Sequence, residues 1–268
     1  MIHLLRSELF RLRKRPQSWI LGIIMFLVVA AFYSGLTIAS FLLSDPTGTE
    51  RNLQLAGVFD NGMQIVTLTG SILTIVFAAG LIGNEFGWNT IRPLLARATS
   101  RSALLSAKWI TLFIATIALF LVGLIATIAF SAIGSLIAGA FEGVDAGTIG
   151  DWVVQFARLV YSQLPYTVMA FAVALLTRSN AAGIAVGIGF GIVEALVWSL
   201  ISLMTGAFDS VRKFGMEYPS TLLTEMDPNL DSASTGEMWR AAAVLTVWMV
   251  LMIGATYWIF NRRDVTSA

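Results

Sequence analysis

The sequence has no cysteine and only one histidine, His3, among its 268 residues. A disulfide framework, a thiolate metal site and a thiol nucleophile are therefore excluded, as is the histidine pair of a zinc protease. Charged side chains are scarce as well, at 12% of the chain, which is roughly half their share in soluble globular domains. Hydrophobic residues account for 57%. A water-soluble fold could not bury so much apolar surface, so the composition predicts an integral membrane protein.

The chain also lacks the glycine-rich turn ending in Gly-Lys-Ser or Gly-Lys-Thr that wraps nucleotide phosphates. The Gly-x-Ser-x-Gly signature of serine hydrolases is missing too. We therefore expect this chain not to be an enzyme and to hold neither a metal nor a cofactor. Gly183, Gly187 and Gly191 recur every four residues within an apolar run. This spacing predicts a helix face on which another helix packs closely.

Six mostly apolar runs, each of about eighteen residues or more, are long enough to cross roughly 30 Å of hydrocarbon as helices. They cover residues 19–43, 64–83, 109–139, 159–176, 181–207 and 241–260. The fourth run gives the weakest signal because it contains Gln163 and Pro165, although a bilayer helix can accommodate a proline. The third is longer than a bilayer requires, so it should tilt or protrude. The sequence thus predicts an all-α membrane protein with six transmembrane helices in a single domain, residues 1–268.

The basic residues are unevenly distributed between the two sides of these predicted spans. Twelve of the 17 lysines and arginines fall on the side that carries both termini, and twelve of the 16 acids fall on the other side. Cytosolic connections of membrane proteins carry the excess of lysine and arginine. We therefore expect a multi-pass protein of the plasma membrane with both termini in the cytosol.

Two segments outside the spans have distinctive patterns. Residues 1–17 place Leu5, Leu9 and Leu12 at helical spacing among arginines, which predicts an amphipathic helix lying in the cytosolic interface. The alternative is an ordinary basic anchor for the first span. Residues 206–238 form the longest external loop, which is either a lid over a pathway or a plain polar connection.

Glu194 is the one ionisable side chain well inside a predicted span. A carboxylate at that depth is costly unless it is paired, protonated or hydrated, so it is a candidate for a translocation pathway. The alternative is a protonated glutamate that hydrogen-bonds to a neighbouring helix. Thr67 and Ser71 could line the same pathway, or they could bond to the backbone of their own helix.

The most informative stretch joins the second and third spans and reads NEFGWNTIRPLLARATSRSALLSAK. It predicts a short amphipathic helix between two rigid spans, with a coupling segment at residues 84–102. Its pattern resembles that of type-2 ABC transporter permeases, which also have six spans and a basic N-terminal helix. The residues that carry the resemblance are Glu85, Gly87, Thr90, Leu94, Leu95, Ser100, Arg101 and Lys108.

The resemblance implies a permease subunit of an ABC transporter, most similar in organisation to an exporter. ATP and Mg²⁺ would then bind to separate cytosolic ABC ATPase subunits, and a second copy or a sister permease would complete the pathway. Membrane lipid is the remaining expected partner, and no nucleic acid is expected. The residues implied in coupling to the ATPase are Glu85, Gly87, Trp88, Arg92, Arg97 and Arg101.

Two other classes of function share the six spans. A membrane scaffold or sensor subunit would have the same polarity, but it has no reason to keep residues 84–108 amphipathic between Glu-Gly and Ser-Arg. A secondary transporter driven by an ion gradient would use Glu194 as its proton site. Such transporters usually contain internal repeats with broken helices, and the glycine-rich fifth span has no counterpart in the second.

Overall fold

Long apolar sequences form helices in a membrane because each backbone N–H and C=O must be bonded within the segment. The computed structural model describes residues 2–42, 53, 62–91, 93–94, 100–139, 141, 143–202, 209–225 and 232–262. Within these ranges the chain is all-helical, without strands. The helices are α1 (Ile2–Lys14), α2 (Pro16–Leu42), α3 (Met63–Gly87), α4 (Arg101–Ala138), α5 (Ala146–Thr177), α6 (Asn180–Ser202), α7 (Asp209–Arg212), α8 (Glu217–Glu225) and α9 (Ser232–Arg262).

Six of the described helices, α2 to α6 and α9, are long and apolar enough to cross a membrane. This confirms the predicted all-α fold with six spans. Several helices extend beyond the predicted limits, because a helix continues into polar sequence until its end groups are capped. The start of α5 is capped by Asp145, whose Oδ1 accepts a hydrogen bond from the backbone N–H of Thr148 at 2.9 Å. Pro165 lies inside α5 and does not break it.

The centre of the bundle is formed by α3 and α5, which pack against each other and both contact α6. The pair α2 and α4 packs along one side, and α9 packs on α5. Consequently α3 and α5 bury most of their side chains, whereas α2, α6 and α9 keep broad apolar faces exposed. Exposed apolar faces of this length suit contact with lipid chains.

The two ends of the bundle differ in their charges. We call the basic end the one where α1, the end of α3 and the starts of α4 and α6 meet. The end of α9 joins them there, since the hydroxyls of Ser106 and Tyr257 are 2.6 Å apart. The opposite, acidic end contains α8 and the starts of α5 and α9. Nearer the middle of α5, the Tyr161 hydroxyl donates to the carbonyl of Ala242 of α9 at 2.9 Å.

Candidate functional site

A buried ion pair joins α3 to α4 at the basic end. Glu85 lies in the last turn of α3 and Lys108 lies two turns into α4. Lys108 Nζ is 2.7 Å from Glu85 Oε2, and both side chains are only 1% exposed. Lys108 Nζ also donates to the backbone carbonyl of Leu81 at 3.5 Å. Removing two charges from water costs several kcal/mol for each ion, so neither residue would be stable here without the other.

Three residues of the N-terminal region complete this pair into a five-residue ionic cluster. Arg15 Nη2 donates to Glu85 Oε1 at 3.0 Å, and Arg11 Nη1 donates to Glu8 Oε1 at 3.0 Å. Glu8 Oε2 is in turn 3.7 Å from Lys108 Nζ. The ionic cluster, which consists of Glu8, Arg11, Arg15, Glu85 and Lys108, contains three cations and two anions, so most of its charge is compensated. It connects α1, the start of α2, α3 and α4.

A row of amide side chains lies beside the ionic cluster. Asn180 Nδ2 donates to Asn84 Oδ1 at 3.0 Å, and Asn84 Nδ2 donates to Gln17 Oε1 at 3.5 Å. Gln17 Nε2 donates to the carbonyl of Val76 at 3.2 Å. Helices α3 and α6 approach each other closely at this point. A Cβ atom added to Gly83 would lie only 2.6 Å from the backbone of Asn180. The amide row therefore holds the starts of α2 and α6 against α3.

The connection between α3 and α4 leaves the bundle directly beyond the ionic cluster. Trp88 follows Gly87 at the end of α3 and is 67% exposed, and Asn89 adopts a left-handed φ of 54°. The backbone N–H of Thr90 donates to the carbonyl of Glu85 at 2.9 Å. The chain re-enters α4 through Ser100, whose Oγ caps the helix by accepting from the backbone N–H of Ala103 at 3.1 Å. Both ends of the coupling segment are thus anchored.

Part of the predicted coupling segment lies outside the described residues, including Arg92 and Arg97. Of the other predicted coupling residues, Glu85 is inside the ionic cluster, Gly87 ends α3, Trp88 is exposed, and Arg101 begins α4. The burial of Glu85 fits a bracing contribution to the segment, since a partner protein could not reach its carboxylate.

The sequence analysis did not identify Glu8, Arg11 and Arg15 as members of a cluster with Glu85 and Lys108. One signal was available. Glu8 is the single acid in α1, and it lies on the same helical face as Leu5 and Leu12, where an unpaired acid is unfavourable. Its 2% exposure in the folded chain follows from that position. The amide row carried no comparable signal, because Gln17 and Asn180 are polar residues at predicted span ends.

An open groove of about 780 Å³ lies between α3, α5, α6 and α8. Thr67 and Ser71 of α3 line it, together with Tyr166 of α5 and Glu217 of α8. The hydroxyls of both α3 residues bond to carbonyls of their own helix, Thr67 to Met63 at 2.7 Å and Ser71 to Leu68 at 2.8 Å. The groove is lined by both polar and apolar side chains.

Glu194 lies next to this groove and contacts the acidic end. Its Oε1 accepts hydrogen bonds from the backbone N–H groups of Met216 at 2.6 Å and Glu217 at 3.0 Å, and its Oε2 accepts from the Tyr166 hydroxyl at 3.4 Å. These two N–H groups begin α8. Glu194 is about 21 Å along α6 from Asn180, at 1.5 Å per residue. Its carboxylate thus fixes the short helix α8 to α6, one of the six candidate membrane spans.

The three predicted packing glycines of α6 differ in their surroundings. A Cβ atom on Gly183 would lie 2.7 Å from the carbonyl oxygen of Ala170, and one on Gly187 would lie 2.7 Å from Ile75 Cγ2. A Cβ atom on Gly191 would reach Tyr166 only at the ordinary distance of 3.6 Å. Close approach of α6 to α3 and α5 is therefore concentrated at the first two glycines.

Comparison with known proteins assigns this arrangement to a family. Residues 4–194 match the family model described as ABC-2 family transporter protein. The chain is also 23% identical over 212 residues to the uncharacterized protein YhcI of Bacillus subtilis (strain 168). The alignment covers 75% of this chain and 66% of that protein, so the chain spans just under two thirds of its relative's length.

Proposed function

Since the chain belongs to the ABC-2 family of transporter proteins, we propose that it is the permease subunit of an ATP-driven exporter. In this proposal, ATP and Mg²⁺ bind to separate cytosolic ABC ATPase subunits, because the chain has no phosphate-binding turn. Export as the direction of transport follows the family resemblance. The excess of basic residues supports a cytosolic location for the basic end, and in this proposal the protein lies in the plasma membrane.

The observation that carries the proposal is the ionic cluster at the ends of the coupling segment. Glu85 and Lys108 contact each other at 2.7 Å, and Arg15 holds Glu85 from the side of α1 and α2. A displacement of the segment between them would therefore move α1, α3 and α4 together. A scaffold needs no such rigid connection, whereas a transporter driven by an external ATPase does.

The proposed mechanism uses this connection as a lever. Two ATPase subunits close on ATP and push on the exposed surface that follows Gly87, where Trp88 is 67% exposed. Arg92, Arg97 and Arg101 supply positive charge to the same segment. Because α3 also forms one wall of the large groove, its displacement changes the width of that groove and exposes its contents to the acidic end.

The groove itself supports a pathway shared by two permeases. It is open on one side and is lined by both polar and apolar side chains, including Thr67 and Ser71. A second copy of the chain, or a sister permease, would close the open side. Two-fold symmetry is the commonest arrangement of two identical chains. In a two-fold dimer, the open sides of the two grooves would face each other.

The test is retention of a P-loop ATPase by the affinity-tagged chain, extracted from native membranes in a mild detergent. Two exposed tryptophans provide matched variants, namely Trp88 in the coupling segment and Trp239 near the start of α9, at 67% and 68% exposure. We expect Trp88→Ala to lower ATPase retention and ATP-dependent transport at least about fivefold, as for a typical interface anchor. Trp239→Ala should leave both unchanged.

Charge reversal supplies a second arm of this experiment. The double variant Arg97→Glu/Arg101→Glu should abolish ATP-dependent transport while the protein remains in the membrane. If no ATPase is retained and the double variant transports normally, the coupling proposal is wrong. Transport that follows an imposed proton gradient without ATP would instead support the ion-coupled class.

A further inference from the structure

A second groove, of about 420 Å³, opens on the opposite side of α3, between α1, α2 and α4. Its walls are almost entirely apolar. The residues that define it are Leu12, Trp19, Phe26, Phe77, Leu119 and Val122. Trp19 and Phe26 are 61% and 46% exposed. The groove therefore opens on the outer surface of the bundle, level with the first turns of α2. Bilayer lipid is what surrounds a span at that depth.

Arg13, Ser18 and Trp19 line the end of this groove nearest α1, and two buried threonines, Thr74 and Thr116, line it further along α3 and α4. Arg13, at the end of α1, lines the mouth with an exposed guanidinium. Ser18, one turn into α2, has a buried hydroxyl with no hydrogen-bond partner within the described part of the chain. The Trp19 indole N–H donates to the carbonyl of Arg13 at 2.8 Å, so it shapes the mouth and is not available to a ligand. The exposed cation of Arg13 thus stands at one end of an apolar groove.

We propose that this groove binds one phospholipid with an anionic headgroup, taken from the leaflet at the basic end. The Arg13 guanidinium contacts the phosphate, and one acyl chain lies along Phe26 and Leu119. The groove matches such a lipid chemically, because arginine is well suited to binding phosphate and apolar walls favour contact with acyl chains. A leaflet rich in anionic lipid attracts such basic interfacial residues.

Charge favours lipid over a second copy of the chain as the occupant. In a two-fold contact through this groove, each copy would bring the same face of α1 towards the other. Arg13 and its neighbour Lys14 would then approach the corresponding cations, which is unfavourable. An anionic headgroup has the opposite sign. The same helix supplies Arg11 to the ionic cluster, and Arg15 follows directly after it, so a bound lipid would hold α1 where the cluster forms.

Two glycines of α2 allow a matched test of occupancy. A Cβ atom at Gly22, which lines the groove, would meet no atom of the described chain within 4 Å, and the same is true at Gly35, which lies outside it. Both positions thus have room for an added Cβ atom, so Gly22→Leu serves to occupy the groove and Gly35→Leu is the control. The chain is reconstituted in vesicles of equal parts phosphatidylcholine and phosphatidylglycerol, extracted in detergent, and its retained lipid is counted by native mass spectrometry.

We expect one retained phosphatidylglycerol per chain for the unaltered protein and for Gly35→Leu, and about tenfold less for Gly22→Leu. Arg13→Gln should reduce the preference for phosphatidylglycerol over phosphatidylcholine about fivefold, and Lys14→Gln should not. Inorganic phosphate added to the extract should not compete. Equal lipid retention by the Gly22→Leu and Gly35→Leu variants would overturn the proposal. So would a loss of dimer in the Gly22→Leu variant with lipid retention unchanged, since it would assign the groove to a second copy.

Discussion

Lys108 Nζ lies 2.7 Å from Glu85 Oε2, and each side chain is 1% exposed. These two residues flank the connection between α3 and α4, so the buried pair sets the separation of the two helix ends. Arg15 approaches the other carboxylate oxygen of Glu85 at 3.0 Å, which brings the junction of α1 and α2 into the same contact. The connection is therefore held at both ends by one carboxylate.

Replacing Lys108 with methionine should destabilise the protein because Glu85 would remain buried with Arg15 as its nearest cation. Removal of one partner of a buried pair costs about 3–5 kcal/mol, and the remaining contact with Arg15 places the expected loss at about 3 kcal/mol. The measurement is the thermal denaturation midpoint of the detergent-solubilised chain. The double variant Glu85→Gln/Lys108→Met should recover much of this loss, since it leaves no uncompensated charge between α3 and α4.

The double-mutant comparison also tests the coupling between the two sites. If the losses caused by Glu85→Gln and Lys108→Met simply add, the two side chains do not interact in the folded protein. A matched control is Lys14→Met on α1, whose ammonium stacks over the Phe10 ring at 5.9 Å and stands outside the ionic cluster. That substitution should leave the denaturation midpoint unchanged.

The glycines of α6 should differ in their tolerance of a methyl group. Gly183→Ala and Gly187→Ala place Cβ atoms within 2.7 Å of α5 and α3 respectively, and overpacking of this kind costs about 1–3 kcal/mol. Gly189→Ala is the control because its Cβ would meet nothing within 4 Å. The measurement is resistance of the extracted protein to heat-induced aggregation. Equal midpoints for all three variants would show that α6 does not pack on α3 and α5 as observed.

The sequence was sufficient for the number and type of the helices, because span length and hydrophobicity are local properties. It was insufficient for their limits: α5 begins at Ala146, thirteen residues before the predicted start at 159. The start of that extension is set by the cap that Asp145 forms with the backbone N–H of Thr148. The apolar content of a sequence window does not reveal such a cap.

The pH dependence of the start of α5 should follow Asp145. The hydroxyl and backbone N–H of Thr148 both donate to this carboxylate, which lowers the pKa of Asp145 below its usual value. A lowered pKa contributes stability to the folded state above the ordinary aspartate pKa, and the contribution is lost as the pH falls through the lower, folded value. Amide protection over residues 146–150 should therefore decrease below about pH 4.

Hydrogen exchange read by mass spectrometry checks this expectation. Asp145→Asn cannot titrate but keeps an oxygen that accepts the backbone bond, so its protection should not change with pH beyond the intrinsic exchange rate. Asp145→Ala should show low protection at every pH. A protection profile shared by the unaltered chain and Asp145→Asn would exclude Asp145 as the titrating group.

The sequence identified some residues of the candidate site and missed others. Glu85 and Lys108 could be singled out because they belong to a pattern in a contiguous stretch. Their partners Glu8, Arg11 and Arg15 are more than 69 residues from Glu85 along the chain, and only the folded arrangement of α1 brings them together. The role of Glu194 depends in the same way on α8, which follows it by more than twenty residues.

Glu194 allows the structural and pathway interpretations to be separated by two substitutions. Glu194→Ala leaves the N–H groups of Met216 and Glu217 without their acceptor, which should cost about 1–2 kcal/mol and release α8. Glu194→Gln keeps an oxygen at that position while removing the charge. If the residue serves only to fix α8, the glutamine variant should retain both amide protection over residues 211–225 and ATP-dependent transport.

Two residues close to Glu194 provide comparison variants for this experiment. Val193→Ala changes an exposed residue of α6 and should have no effect. Gly215→Ala should resemble Glu194→Ala, because its Cβ would lie 2.5 Å from Glu194 Oε1 and displace the carboxylate. Loss of transport in Glu194→Gln with protection of α8 intact would show that the carboxylate must ionise during transport. The charge, and not the cap, would then be what α6 contributes to the pathway.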